Sequence, residues 1–214
     1  MFNDSGKEKV VVKFFKTPNI FKALIYGSFR KSKAYRSYHY ACKLIELGIG
    51  TPKPVSFFEE KQFGMLKKSY YCSEFIDPDY TFRDLTLGLS IPDFERVIRQ
   101  FTQFTFKLHE SGVEFNDHSP GNTLIRKKVD GNYEFFLVDL NRMNFGEMNF
   151  EKRMKNFSRL TKDTNVIKII SEEYSNLYNC SYDKVFLSIS ENVKIFQRNF
   201  LRKKKFKKII LSRK

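Results

Sequence analysis

The strongest constraint on the fold is a long amphipathic segment that leads directly into a polar loop. Residues 92–111 repeat apolar side chains at the spacing i, i+3, i+4 and i+7, and Pro92 suits a helix start. The apolar face comprises Phe94, Val97, Ile98, Phe101, Phe104 and Leu108. Gly112 then ends the helix, and residues 116–122, NDHSPGN, are dense in turn formers. The pattern predicts a helix over 92–111 and a loop that holds polar side chains between apolar segments.

The residues after this loop predict a β-hairpin. The apolar run TLI, residues 123–125, and the run NYEFFLVDLN, residues 132–141, flank a turn around Asp130 and Gly131. The second strand would carry Asp139 at its end. Beyond Asn149 the chain is predicted to be helical and becomes increasingly basic.

The N-terminal part predicts a small lobe of strands with one helix. A β-branched apolar run predicts a strand that carries Lys13. Residues 29–47 have the periodicity of a basic amphipathic helix, and two aromatic-rich runs after them predict further strands. The composition changes near Asp77, so we expect two lobes, residues 1–77 and 78–214.

Composition and charge exclude several classes of protein. Of the 214 residues, 41% are hydrophobic and 29% are charged, which allows a core and argues against disorder. No apolar run is long enough to span a bilayer, and the three cysteines are not spaced as a disulfide framework or zinc site. We therefore expect a cytoplasmic protein. A formal net charge of +15 predicts attraction to phosphates, nucleic acid or an anionic membrane surface.

The pattern with the clearest chemical meaning is an acid and an amide in the polar loop, followed by a second acid after the hairpin. Phosphoryl transfer from ATP requires these groups. Asp117 would orient and deprotonate the attacking hydroxyl, while Asn122 and Asp139 would hold Mg²⁺ against the phosphates. Lys13 would bind the α and β phosphates as a point charge. The alternative is that Asp117 and Asn122 only stabilise local turns.

Three longer segments carry a family resemblance. KSKAYRSYHYACKLIELGIGTPKPV, FNDHSPGNTLI and EFFLVDLNRMNF together resemble the lipopolysaccharide core kinases, which phosphorylate Kdo or heptose sugars. The resemblance covers most of the chain and extends into NFSRL. It implies an α+β, two-lobed protein-kinase-like fold with a small N-terminal β-lobe and a mainly helical C-terminal lobe. It also implies ATP and Mg²⁺, with a lipopolysaccharide or other lipid-linked sugar as the acceptor.

Some positions depart from the kinase pattern. Phe115 and Asn116 replace the usual His and Arg before the catalytic Asp, and Asn141 replaces the usual Gly of the metal loop. A Glu that could pair with the lysine is expected near residues 37–39, which are Ser, Tyr and His.

The start of the chain departs further. Twelve residues precede Lys13, too few for two strands and a glycine-rich loop over the phosphates, and Gly6 is the one glycine among them. We expect either a truncated start or an incomplete ATP site. A kinase-like binding protein without transferase activity is therefore the second hypothesis.

Other polar residues have two interpretations each. Backbone groups around Glu74, where the lobes join, could bind adenine, or Glu74 could be a plain linker acid. His118 could contact the acceptor or cap local backbone. His109 is interpreted as structural, with a protonated ring favoured at a helix C-terminus. Arg142 could reach phosphate or substrate, or bridge to the catalytic loop.

The C-terminal tail, RKKKFKKIIL, is either a solvated helix end or an interfacial helix. In the second case it would contact anionic lipid on the inner face of the inner membrane. A basic nucleic-acid-binding module is a third hypothesis, although no RRM, KH or zinc-knuckle pattern accompanies the basic residues.

Overall fold

The computed structural model describes residues 9–16, 31–63, 65–87 and 91–211. Contacts divide the chain into two compact units. The N-terminal unit comprises Met1–Asp79 and Leu124–Met143, and the C-terminal unit comprises Tyr80–Thr123 and Asn144–Lys214. No helix among the described residues is both long enough and apolar enough to cross a membrane.

The N-terminal unit contains an antiparallel three-stranded sheet. Its strands are β1 (Val10–Phe15), β2 (Pro54–Gln62) and β3 (Met65–Glu74), in the order β1-β3-β2. Lys13 pairs with Tyr71 of β3, which in turn pairs with Phe57 of β2. The predicted strand around Lys13 is thus confirmed.

Helix α1 (Lys33–Glu46) packs on this sheet because its small and apolar residues lie on one face. Ala34, Ala41 and Leu44 are fully buried, and the ring of Phe57 contacts those of Tyr35 and Tyr38. The Ser32 hydroxyl accepts the Tyr35 N–H at 2.9 Å and caps the helix N-terminus. The helix predicted over 29–47 is confirmed for 33–46, and residues 29 and 30 lie outside the described residues.

The predicted hairpin is also confirmed. Strands β6 (Thr123–Lys127) and β7 (Tyr133–Leu137) are hydrogen-bonded neighbours, and the Asp130 carboxylate accepts the Asn132 N–H at 2.9 Å in the turn. The end of β7 is held by the segment after α1. Leu137 N donates to Gly50 O at 2.9 Å, and the Thr51 hydroxyl donates to Leu137 O at 2.8 Å.

The C-terminal unit is mainly helical. Its elements are β4 (Tyr80–Thr81), α2 (Phe82–Thr86), α3 (Phe94–Glu110), β5 (Val113–Phe115), a 3₁₀ turn (Pro120–Asn122), β8 (Met143–Phe145), α4 (Phe150–Asn156), α5 (Thr164–Tyr178) and α6 (Tyr182–Leu211). β5 pairs with β8, of which residues 144 and 145 belong to this unit. The predicted helical character beyond Asn149 is confirmed.

Helix α3 forms the centre of this unit. The four residues Val97, Ile98, Phe101 and Leu108 of the predicted apolar face are fully buried. The helix begins at Phe94, two residues after Pro92. On its outer side Arg99 forms ion pairs with Glu95 in α3 and with Glu172 and Glu173 in α5.

Candidate active site

Lys13 and Asp139, which are far apart in the sequence, are in direct contact in the N-terminal unit. Lys13 Nζ lies 2.6 Å from Asp139 Oδ1, and the two side chains are 38% and 32% exposed. The ammonium also lies 5.5 Å from the centre of the Phe15 ring. β1 therefore delivers a cation to the carboxylate that follows β7.

Asp139 has an unusual backbone conformation. Its φ is +61°, in the left-handed region that Asp tolerates better than most residues. Asn141, which is 6% exposed, donates from its side-chain Nδ2 to Asp139 Oδ1. Because strained backbone persists only where its surroundings hold it, these contacts keep the carboxylate in one place after β7.

Asp117 and Asn122 are brought together by the polar loop of the C-terminal unit. Asn122 Nδ2 donates to the Asp117 carbonyl at 2.8 Å, and Asn122 N donates to Ser119 O at 2.9 Å. Since Nδ2 is engaged with this carbonyl, Oδ1 is the atom of the Asn122 side chain that could ligate a cation. The local 3₁₀ turn therefore orients the amide.

Arg159 also contacts this loop, and the sequence patterns did not identify it. Its Nη1 lies 2.8 Å from Asp117 Oδ1 and donates to Asn116 O at 3.1 Å. The residue lies in the connection between α4 and α5. No local spacing links it to Asp117, and NFSRL in the family resemblance was its one signal.

A buried polar network supports the strand that precedes the loop. Asn156 Nδ2 donates to Phe115 O at 2.9 Å, so the amide oxygen Oδ1 is the group that faces His109 Nε2 at 3.1 Å. His109 Nε2 is therefore the donor, and Nδ1 accepts from the Tyr174 hydroxyl at 2.8 Å. α3, α4 and α5 are thus joined to β5.

The ring of His109 is neutral rather than protonated. Burial lowers the pKa of His109 to about 3. The structural role predicted for His109 agrees with its hydrogen bonds, but the predicted protonated ring is wrong. Burial outweighs the favourable helix dipole at the end of α3.

His118, directly after Asp117, is buried as well. It is 1% exposed and lies between the rings of Phe101 and Phe115, with centroids 5.6 and 5.5 Å away. Neither ring nitrogen has a hydrogen-bond partner, and burial lowers the pKa to about 4. The predicted cap of local backbone by His118 is therefore wrong, and the ring is a packing element of the loop.

Glu74 and Arg142 both belong to the N-terminal unit, where Glu74 is partly exposed and Arg142 is exposed. Glu74 ends β3, its N–H donates to Lys53 O at 2.9 Å, and its carboxylate is 3.5 Å from Lys53 Nζ. Its N–H is thus already engaged within the sheet. Arg142 is exposed, and the two roles predicted for it stay predictions.

The donor set of the site fits Mg²⁺. Carboxylate and amide oxygens are the hard ligands that this ion prefers, and it usually binds through one or two such groups together with substrate phosphates. Among the described residues, no group of three or more His, Cys, Asp or Glu side chains could hold a metal. The Asn122 amide oxygen in the C-terminal unit and the Asp139 carboxylate in the N-terminal unit are oxygen donors of this kind, and their role as metal ligands stays a prediction.

The fold is shared with a known kinase structure. The structure of WaaP in complex with acyl carrier protein superposes with a TM-score of 0.58 over 78% of this chain and 74% of that chain, at 15% identity. Two structures of WbdD, one of them bound to the kinase inhibitor LY294002, give TM-scores of 0.49 and 0.48 at 14% identity and cover 88% of this chain. In both cases the matched region is 42% of the WbdD chain. The chain therefore shares the mixed helix-and-sheet fold of the WaaP structure.

The sequence defines the family as well. The lipopolysaccharide kinase (Kdo/WaaP) family matches residues 12–180. The chain belongs to this family, which implies a phosphotransferase of the kinase class. No curated protein is significantly similar to the chain in sequence. The predicted resemblance and the predicted kinase-like α+β fold are confirmed.

Proposed function

We propose that the chain is an ATP-dependent kinase that transfers the γ-phosphoryl group to a sugar hydroxyl of the lipopolysaccharide inner core, on Kdo or heptose. Family membership supports a sugar kinase of lipopolysaccharide. ATP, Mg²⁺ and the particular sugar are part of the proposal.

The ion pair between Lys13 and Asp139, at 2.6 Å, is the observation that carries the proposal. In a kinase the strand lysine binds the α and β phosphates, and the acid after the hairpin binds Mg²⁺. Lys13 and Asp139 lie side by side in the N-terminal unit, which supports these two assignments. The alternative is that Lys13 is an edge-strand cation that contacts an unrelated surface acid. Such a contact would not require the left-handed backbone conformation that Asp139 has.

The remaining roles follow from charge and atom type. Bound Mg²⁺ would neutralise the phosphate oxygens as charge shifts during transfer. Asp117 orients the acceptor hydroxyl and takes its proton, and Asn122 presents Oδ1 to the cation because its Nδ2 is engaged with Asp117 O. Glu74 marks the stretch whose backbone groups would bind adenine. The lobe boundary near Asp77 stays a prediction.

A catalytically impaired, kinase-like binding protein is the second candidate. Its support is the absence of a glutamate on α1 where a kinase pairs one with the lysine. Ser37 is found there instead, 1% exposed, and its hydroxyl has no hydrogen-bond partner. In this candidate the ion pair of Lys13 would be structural.

The basic end of α6 supports a peripheral contact with an anionic membrane. No acidic residue follows Glu191 in the sequence. Leu201 and Phe206 are 61% and 67% exposed among these cations. Cations near a membrane surface contribute about 1 kcal/mol each, and exposed apolar groups add burial in the interface. The side chains of residues 209–211, which were part of the prediction, lie outside the described residues.

Thermal unfolding with and without MgATP tests nucleotide binding. A ligand that binds the folded state alone raises the apparent melting temperature. We expect a magnesium-dependent increase that Asp139→Asn abolishes and that Asp130→Asn, in the turn of the same hairpin, retains. An unchanged increase in Asp139→Asn would contradict the metal role of Asp139.

Phosphate transfer separates the two candidates. With radiolabelled ATP and lipopolysaccharide inner-core oligosaccharide, the kinase hypothesis predicts transfer that Asp117→Asn abolishes while the MgATP shift remains. The binding-protein hypothesis predicts no transfer by either protein. Transfer that survives Asp117→Asn would refute the assigned base.

A further inference from the structure

The cation that contacts the Asp117 loop comes from a distant part of the chain. Arg159 Nη1 contacts Asp117 Oδ1 at 2.8 Å and Asn116 O at 3.1 Å. One nitrogen therefore binds both the carboxylate and the peptide group just before it. These two contacts restrict rotation of the Asp117 side chain relative to its own backbone.

This ion pair is partly shielded from water. The Asp117 side chain is 16% exposed and the Arg159 side chain 32%. Fully exposed pairs contribute little because water and salt screen them, whereas a charge-assisted hydrogen bond at a shielded carboxylate is stronger. The guanidinium of Arg159 therefore lies directly beside the Asp117 carboxylate.

The guanidinium of Arg159 packs against an aromatic ring, and its Nε makes no hydrogen bond. Its Cζ lies 5.6 Å from the centre of the Phe196 ring in α6, and the buried Nε has no hydrogen-bond partner. A buried N–H without a partner costs free energy. The contacts of Nη1 with the loop offset that cost and determine where the side chain lies.

We propose that Arg159 is a positioning residue for phosphoryl transfer, holding the Asp117 carboxylate in the orientation from which it accepts the hydroxyl proton. The inference rests on the proposed function. In the reaction the acceptor oxygen bonds to the γ-phosphorus. The bond between the γ-phosphorus and the bridging oxygen breaks, and ADP leaves with that oxygen. The hydroxyl proton passes to Asp117. Arg159 exchanges no proton. Kinases usually have an arginine directly before the catalytic Asp, whereas this chain has Asn116 there and brings a guanidinium to the same peptide from residue 159.

A purely structural tie between the loop and the α4–α5 connection is the competing explanation. Arg99 offers a matched comparison, because it is 29% exposed and forms ion pairs with three carboxylates on α3 and α5. Its substitution removes an arginine and its ion pairs from the same unit without touching the loop.

The test compares Arg159→Ala, Arg159→Lys and Arg99→Ala in the full chain. Misplacement of a catalytic group by about 1 Å costs on the order of 100-fold in rate. For Arg159→Ala we expect kcat for transfer to the inner-core oligosaccharide to fall by about that factor, with the KM for ATP and the MgATP thermal shift unchanged. Millimolar guanidinium should restore part of kcat, Arg159→Lys should be intermediate, and Arg99→Ala should keep the wild-type kcat.

Hydrogen exchange supplies a readout that does not depend on activity. The backbone amides of residues 116–119, 121 and 122 should exchange faster in Arg159→Ala and at the wild-type rate in Arg99→Ala. A wild-type kcat in Arg159→Ala would overturn the inference. So would a kcat that falls in step with the melting temperature and that guanidinium does not restore. If the wild-type chain neither binds MgATP nor transfers phosphate, the proposed function fails, and hydrogen exchange alone decides whether Arg159 positions the loop.

Discussion

Acid should destabilise this protein through two histidines that the fold keeps neutral. Burial lowers the pKa of His109 to about 3 and that of His118 to about 4, against about 6.5 for an exposed imidazole. The unfolded chain therefore binds these two protons at a higher pH than the folded chain does. The stabilisation is fully present above pH ~6.5 and is lost as the pH falls towards the folded-state pKa values.

The size of the effect follows from these values. Between pH 7 and pH 5 each histidine lowers the free energy of unfolding by about 2 kcal/mol, so the pair contributes about 4 kcal/mol. This is a large part of the 5 to 15 kcal/mol that is typical of a domain.

Urea unfolding at pH 7, 6 and 5, followed by far-UV circular dichroism, measures the change. His118→Leu is the informative variant, because neither nitrogen of this ring has a partner to lose. It should reduce the pH-dependent loss by about 2 kcal/mol. Equal slopes in His118→Leu and wild type would refute the reasoning.

Substitutions at three positions test the packing by urea unfolding. Tyr174→Phe leaves Nδ1 of the buried His109 ring without its donor at 2.8 Å and should cost about 1 to 3 kcal/mol, and no loss would mean that another donor replaces the hydroxyl. Gly50→Ala would put a Cβ in steric conflict with the Phe135 carbonyl oxygen, so the strand end must move and the unfolding midpoint should fall clearly; an unchanged midpoint would contradict this packing. Ser32→Ala removes the N-cap of α1 and should cost about 1 kcal/mol, whereas Ser32→Asp should retain most of the stability.

Local structure was predictable from the sequence because it depends on neighbouring residues. The period of apolar residues over 92–111 identified α3 and its buried face, and the turn formers around Asp130 identified the hairpin. Asp117 and Asn122 were also predictable as a pair. They lie five residues apart in one loop, and the 3₁₀ turn that ends at Asn122 brings its amide to the Asp117 carbonyl.

The charge state of His109 shows where local reasoning stops. A helix C-terminus favours a protonated ring by about 0.3 to 1 kcal/mol. A decrease of the pKa from 6.5 to about 3 corresponds to about 5 kcal/mol in the opposite direction. The helical pattern predicted His109 at the end of α3. It could not predict that Tyr174 and Asn156, which are distant in the sequence, would bury the ring.

The sequence by itself determined the family, the main helices and strands, and the order of the candidate site residues. The tertiary structure decided which distant side chains meet: Lys13 with Asp139, and Arg159 with Asp117. Periodicity specifies which face of an element is buried, and therefore the elements themselves. It does not specify the partner of a charge, because that partner depends on how separate elements pack and on how much water the packing excludes.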